Sequence, residues 1–319
     1  MRLSGPKTLL PALAGIGLLV LGYMRFVEPR WIRVRITPIT LAAAPQGSGK
    51  EGNRKVTLRV VHLTDFHLSP FVPLAYLENA FRQAAARGPD LICITGDFIT
   101  DHLAAGDAYA SALRILSASA PTFACPGNHD GGVWAHARGG YADTDTLRAL
   151  LARSGIGLLE NADTTLIIRG SRVLVAGLGD LWAVRCDPGA IRADMDTSSA
   201  IVKILLTHNP DSKTNAKDLE WDLMLAGHTH GGQMKLPFIG TPFAPVRDRD
   251  FVNGLRLYQG NPVYVSPGVG NLHGMRLNCR PEISVLDLVR GQCGLGLTSS
   301  PQPAQHPAGR GSPTRRNTR

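Results

Sequence analysis

The chain has 319 residues, 44 % of them apolar and 6 % aromatic, with a formal net charge of +9. That length and apolar content supply one large domain or two small ones with ample core, which excludes a disordered chain and a disulfide-stapled miniprotein. An excess of Lys and Arg invites a nucleic-acid reading, but residues 1–35 carry +5 and residues 297–319 carry +4, so residues 36–296 are neutral and no nucleic-acid partner is expected.

In chain order, residues 8–24 are uncharged and lie between Lys7 and Arg25. A run of this length is at the lower limit for a spanning helix, so residues 1–28 read as an N-terminal membrane anchor. Retention is favoured over cleavage, because the small-residue run at 42–44 lies far beyond the apolar stretch and is followed by Pro45. More bases follow the apolar run (Arg25, Arg30, Arg33, Arg35) than precede it (Arg2, Lys7), which leans the body toward the cytoplasmic side. Residues 29–55 are a linker with a possible first strand.

From residue 56 short apolar runs alternate with helical patterns, the mark of a layered α/β domain over 56–290. The expected strands are 56–63, 91–95, 122–125, 165–168, 173–177, 201–206, 223–226, 263–265 and 283–288; helices are expected at 74–87, 109–119 and 144–154. Residues 291–319, rich in Ser, Pro, Gly and Arg, cannot bury enough apolar surface to offset their ordering entropy and read as a disordered basic tail. The five cysteines form no CxxC or zinc-type spacing; Cys93 and Cys125 sit in strand-like runs, and all read as reduced and structural.

Chemistry-bearing residues gather just past the strands. Asp65-Phe66-His67 follows 56–63, Gly96-Asp97 follows 91–95, and Gly127-Asn128-His129-Asp130 follows 122–125. His208 follows 201–206, and Gly227-His228-Thr229-His230-Gly231-Gly232-Gln233 follows 223–226. Open α/β sheets place ligands at the carboxyl ends of their strands. Mixed Asp, His and Asn donors suit divalent ions such as Mn, Fe or Zn, and seven such groups are too many for one four-coordinate ion and about right for two sharing a carboxylate. Two-residue spacing would put Asp65 and His67 on one face of a strand, and likewise His228 and His230.

This ordered set of DxH, GD, GNHD, a later His and GHxH resembles the calcineurin-like metallophosphoesterase superfamily, over about residues 56–290. Within it, GHTHGGQ at 227–233 and NCRPEI at 278–283 look most like the bacterial membrane-anchored phosphodiesterase branch, which also includes a lipid A pathway pyrophosphatase acting on UDP-2,3-diacylglucosamine. The resemblance implies a four-layer α/β/β/α sandwich preceded by one transmembrane helix, at a bacterial inner membrane. It also implies two divalent metal ions. One would be held by Asp65, His67, Asp97 and His230 and the other by Asp97, Asn128, His208 and His228, with His129 as the catalytic residue that contacts the phosphate and protonates the leaving oxygen. The implied reaction is hydrolysis of a phosphodiester, pyrophosphate or phosphomonoester bond by a hydroxide bridging the two ions. Its substrate would be a phosphorylated small molecule or lipid, membrane-associated by preference. A nuclease and a non-catalytic metal-binding scaffold are the lesser alternatives.

Two positions depart from the family pattern. Thr100, with Asp101 one step further, stands where relatives place an Asp that orients the catalytic His. Pro267-Gly268 lacks the Arg that precedes the late Gly in many members of the branch. Asp130 reads as a turn residue supporting the ligands, and Gly231 and Gly232 as letting the backbone pass close to the metals. His62, His102, His136, His273 and His306 default to solvated or packed positions, with His273 the one in a loop within reach of the pocket. The apolar segment 234–243 (MKLPFIGTPF), near Leu181-Trp182, defaults to packing beneath a lid, its functional alternative being an apolar surface that takes up a lipid chain.

Overall fold

The computed structural model describes residues 6–42, 56–198, 200 and 202–290. Among the described residues, twelve strands form two six-stranded sheets. The first holds β1 (Arg33–Leu41), β12 (Glu282–Arg290), β2 (Val56–Leu63), β3 (Leu91–Thr95), β4 (Thr122–Cys125) and β5 (Gly157–Leu158), side by side in that order. The second holds β10 (Gly254–Tyr258), β11 (Asn261–Val265), β9 (Leu223–Ala226), β8 (Val202–Leu206), β7 (Ser171–Gly177) and β6 (Ala162–Ile168). Strands β2 to β5 run parallel, as do β11, β9, β8 and β7.

The two sheets face one another across a core of Leu58, Val60, Leu91 and Cys93 from the first and Val175, Ile204, Leu223 and Leu225 from the second. The outer face of the first sheet is covered by helices Leu74–Ala85, Gly106–Ser117 and Asp145–Arg153, which bury Leu77, Phe81, Leu113 and Leu150. The outer face of the second is covered by Arg192–Thr197 and the short turns around Ala216, Trp221 and Phe251. Each sheet is therefore covered on both sides, which is why β3, β8 and β9 are buried at every position rather than at alternate ones, and apolar save for Thr95 and Lys203. The result is the expected four-layer α/β/β/α sandwich.

Strand β1 lies in the stretch read as a linker with a possible first strand, and its full-length parallel pairing with β12 puts residues 33–41 inside the sheet. The first sheet therefore includes residues from Arg33 onward. The signal was weak because β1 is an edge strand, where polar residues and Pro38 are tolerated; edge strand β10, with exposed Arg256 and Leu257, escaped for the same reason. The N-terminal helix Pro6–Gly22 continues as a π-helical turn to Val27, and Pro11–Arg30 is long and apolar enough to cross a membrane. The tail 291–319, His306, and residues 43–55 of the linker lie outside the described residues.

One register fixes the geometry of the whole edge. Arg33 at the start of β1 pairs with Glu282, and Ser284 pairs with His62 near the end of β2. The N-terminal helix therefore joins the sandwich at the edge where β2 ends.

Candidate metal centre

At that edge, Asp65 and His67 follow β2, Asp97 follows β3, Asn128 and His129 follow β4, His208 follows β8, and His228 and His230 follow β9. All eight are buried, with at most 8 % exposure. None of the DxH and HxH pairs lies in a strand, so strand alternation is not what gathers them. Instead Asp65, His67, Asp97, His228 and His230 all take left-handed backbone conformations, with φ between 46° and 67°. Each such non-glycine residue costs about 1–3 kcal/mol and persists only where its surroundings hold it. Here Asp65 N–H donates to Gly96 O and His67 N–H to Asp97 O, both at 3.0 Å, and Gly227 N–H donates to His208 O at 2.9 Å. Phe66, between the two ligand candidates, packs edge-on against Phe81 and Phe98, and this core contact turns its neighbours toward the site. Glycine is required where loops cross: a Cβ on Gly127 would overlap the Asp97 carboxylate, and one on Gly227 would overlap Thr64 and Asp65. Gly231 and Gly232 are tight as well, but against Cys279 and Thr241 rather than against the ligand set.

The side chains form two groups sharing Asp97. In one, His67 Nε2 is 3.3 Å from Asp97 Oδ2 and 3.1 Å from His230 Nε2, which in turn is 3.4 Å from Asp65 Oδ1. In the other, His208 Nε2 is 3.1 Å from Asp97 Oδ2 and 3.2 Å from His228 Nδ1. His208 is oriented by its Nδ1, which donates to Thr95 O at 2.6 Å. Buried Asp65 Oδ1, Asn128 Oδ1 and His228 Nε2 have no hydrogen-bond partner. Orphaned buried acceptors cost about 1–3 kcal/mol each. Imidazole, carboxylate and amide donors without thiolate fit borderline to hard divalent cations.

Electrostatics point the same way. Burial pushes the Asp65 carboxyl up to about 7, and burial together with the charge on Asp97 pushes Asp130 up to about 7. Burial also opposes the charge on Asp97, but His208, His129 and His67 outweigh it and hold that carboxyl well below the usual range. Burial lowers His67 and His228 to about 3, keeping both imidazoles neutral and able to donate a lone pair. Crowded carboxylates beside neutral imidazoles call for positive charge between them.

Around this set, the Asp130 carboxylate accepts N–H bonds from Asp97, Phe98 and Gly127, each at 2.8 Å, and so fixes the β3 and β4 loops together. His129 donates its backbone N–H to Asp97 Oδ1 at 3.0 Å, and its Nδ1 lies 2.6 Å from Thr100 O. The orienting role expected of an Asp near position 100 is thus taken by the Thr100 carbonyl, and not by Asp101. Trp134 packs against His129 and Trp182 against His228, with ring centroids 4.5 and 4.3 Å apart, forming an aromatic rim. Exposed His273 lines a cleft with His230, Met234 and Phe243. His62 is buried against Thr95 and His102 packs edge-on to Tyr141.

Several residues here were not read from the sequence. Asp180 follows β7 as the other groups follow their strands, so the same positional rule finds it; its carboxylate caps the turn at Trp182 and Ala183. Trp134, Glu28 and Arg276 carry no local signal. Arg276, fully buried, donates to the carbonyls of Pro267, Gly270 and Cys279 and so ties down the loop beside His230.

Comparison with known proteins finds relatives over most of the chain. The calcineurin-like phosphoesterase family model matches residues 58–232. The chain is 38 % identical over 272 residues to phosphodiesterase YaeI of Escherichia coli, spanning 84 % of this chain and 92 % of that one. It is 31 % identical to the uncharacterized metallophosphoesterase YkuE of Bacillus subtilis, spanning 84 % and 89 % of the two chains. It is 26 % identical to the UDP-2,3-diacylglucosamine pyrophosphatase LpxG of Chlamydia trachomatis, spanning 72 % and 83 %.

Proposed function

The chain belongs to the calcineurin-like phosphoesterase family, and from that premise we propose that this metal-dependent phosphoester hydrolase uses two divalent ions and acts on a phosphodiester or pyrophosphate bond in a membrane-associated substrate. Asp65, His67, Asp97 and His230 would hold one ion and Asp97, Asn128, His208 and His228 the other, drawn from Mn, Fe or Zn. The observation that carries this reading is the pair of side-chain groups meeting at Asp97, with Asp65, Asn128 and His228 atoms left orphaned. Bound divalent ions would supply Lewis-acid polarisation of the phosphoryl oxygens and a water acidic enough to attack phosphorus at neutral pH.

The protein's own contribution is positioning and proton transfer. Asp97 accepts from His129 N–H and faces both histidine groups, so one carboxylate sets the spacing of the whole site. With Nδ1 held by the Thr100 carbonyl, the other ring nitrogen of His129 is the one available to give a proton to the leaving oxygen. Trp134 and Trp182 shield this side of the site from bulk water. The apolar N-terminal helix supports a membrane anchor, and the preceding and following bases favour a cytoplasmic catalytic body. LpxG's stated substrate makes a UDP-linked diacyl sugar the first natural candidate to assay.

The test uses the full chain in detergent, stripped of metal and reloaded with Mn. We expect two metal ions per chain by elemental analysis and hydrolysis of a chromogenic phosphodiester, both reduced in Asp97→Asn and His228→Ala. A single ion with full activity overturns the two-ion reading. Wild-type rates in Asp97→Asn overturn the site assignment.

A further inference from the structure

The segment 234–243 does not pack beneath a lid. It forms a small hairpin closed by Leu236 and Gly240, each N–H donating to the other's carbonyl, and its tip projects into solvent. Phe238 is fully exposed, Ile239 is 70 % exposed, and Phe243 at the base is 63 % exposed. Phe238 also sits at φ 65°, a left-handed conformation that a bulky residue rarely adopts. A strained aromatic at an exposed turn buries nothing within the protein.

Its place in the fold says what covers it. The N-terminal helix joins the sandwich at the site edge through β1, so the edge carrying the metal centre is the one that faces the membrane the helix would enter. Asn278 links the two features: its N–H donates to Glu28 at 3.0 Å, just past the helix, and its Nδ2 donates to Lys235 O at 3.1 Å, at the root of the hairpin. Glu28 is buried and also accepts from Cys279 N–H, so helix end, hairpin and the loop holding His230 form one rigid unit. Around this junction Arg280 stacks on Trp31 at 4.0 Å and Arg25 lies 5.1 Å from the Phe71 ring, a belt of bases and aromatics of the kind found at bilayer interfaces.

We propose that the 236–243 hairpin is a second membrane contact, seating Phe238 and Ile239 in the lipid leaflet that the N-terminal helix enters. Resting on the membrane-anchored reading above, this makes the cleft of about 310 Å³ between His230, Met234 and Phe243 a path from the lipid surface to the metal centre. The favoured substrate is then an amphiphilic phosphoester whose acyl part stays against the hairpin while its phosphate reaches His230. Interfacial apolar faces reach about 5–10 Å into the boundary between headgroups and acyl chains, and the hairpin tip is expected at a similar depth.

The experiment places an environment-sensitive fluorophore on single cysteines of the full chain in phosphatidylethanolamine and phosphatidylglycerol vesicles containing a brominated lipid. The background is Cys186→Ser with Cys293→Ser; Cys93, Cys125 and Cys279 are buried. Labels go on Phe238→Cys, on Ile239→Cys as a second tip position, on Leu18→Cys in the anchor, and on Ile167→Cys. Ile167 is exposed on β6 and pairs with Arg172 near the start of β7, at the end of the sandwich away from the site. Blue-shifted, quenched emission at 238 and 239 with neither change at 167 supports the proposal. Water-like emission at both tip positions while Leu18 is quenched overturns it and leaves the anchor standing. Absence of quenching at Leu18 and at the tip overturns both readings, and equal quenching at 167 and 238 shows general adsorption and overturns the specific seating.

Discussion

His129 is fixed at one ring nitrogen only. Its Nδ1 lies 2.6 Å from a main-chain carbonyl, where the family pattern would put a carboxylate, so no buried negative charge at position 100 stabilises the imidazolium. An acid role then shows most where the leaving oxygen needs its proton most. We expect His129→Gln to retain metal and to lose about 10²–10⁴-fold in kcat on an alkyl phosphodiester, but far less on a nitrophenyl ester, whose leaving group departs unprotonated. Equal losses on the two substrates would leave His129 a binding residue without an acid role. His62, outside the ligand set, makes a different prediction. Burial lowers its ring from 6.5 to about 3, and its Nε2 is 2.8 Å from Thr95 Oγ1. Because the unfolded chain binds this proton and the folded chain does not, stability is lost as pH falls from about 6.5 toward 3, with a limiting slope of about 1.4 kcal/mol per pH unit. His62→Gln keeps a partner for Thr95 without titrating, so its unfolding midpoint should fall less steeply than wild type's between about pH 6 and about pH 4. Parallel curves would mean that His62 is charged in the fold.

Between elements, the loop from Pro267 to Cys279 is held chiefly by Arg276, whose guanidinium is buried among carbonyls with no carboxylate bonded to it. Arg276→Met fills similar volume but leaves three carbonyls without their donor, and should cost about 3 kcal/mol, read as a lower thermal midpoint. Since Cys279 Sγ and this loop sit against His230 O, metal affinity should fall with it; a variant with unchanged midpoint and affinity would show the clamp to be dispensable. The same loop marks the limit of what sequence could tell. Asp65, Asp97, Asn128 and His228 were legible because each closes a contiguous apolar run, and the rule that ligands gather past strand ends needs only local pattern. Glu28 was not legible, because its partner Asn278 lies 250 residues away; Arg276 was not, because its partners, though only three to nine residues off, are main-chain carbonyls of an irregular loop that no residue pattern marks; and the bounds of β1, raised only as a possible first strand, depend on its pairing with β12 at the other end of the chain. Left-handed backbone at Asp65 and His67 also replaced the strand alternation that spacing suggested, since alternation cannot see the Phe66 contact that turns the chain.

At the scale of the whole molecule, the ligand candidates are divided between the two sheets. Asp65, His67, Asp97 and Asn128 follow strands of the first, whereas His208, His228 and His230 follow strands of the second. Elsewhere the sheets meet through an apolar core, which is non-directional, and through a few polar contacts such as Tyr264 O–H to Glu282 at 2.8 Å; ions bound across this edge would add fixed points to that seam. Metal that binds the folded chain alone stabilises it by mass action, about 2.7 kcal/mol at a hundredfold excess over its dissociation constant. For a body of this size that corresponds to a rise of about 4–5 °C in thermal midpoint. The full chain in detergent should therefore melt at a temperature that climbs with the logarithm of Mn concentration and drops on adding a chelator. Asp97→Asn, which weakens the shared ligand, should flatten that climb, and His208→Ala, on the second sheet alone, should flatten it too. If His208→Ala kept the wild-type dependence on Mn while Asp97→Asn lost it, metal would be held by the first sheet by itself, and the cross-sheet centre would be wrong.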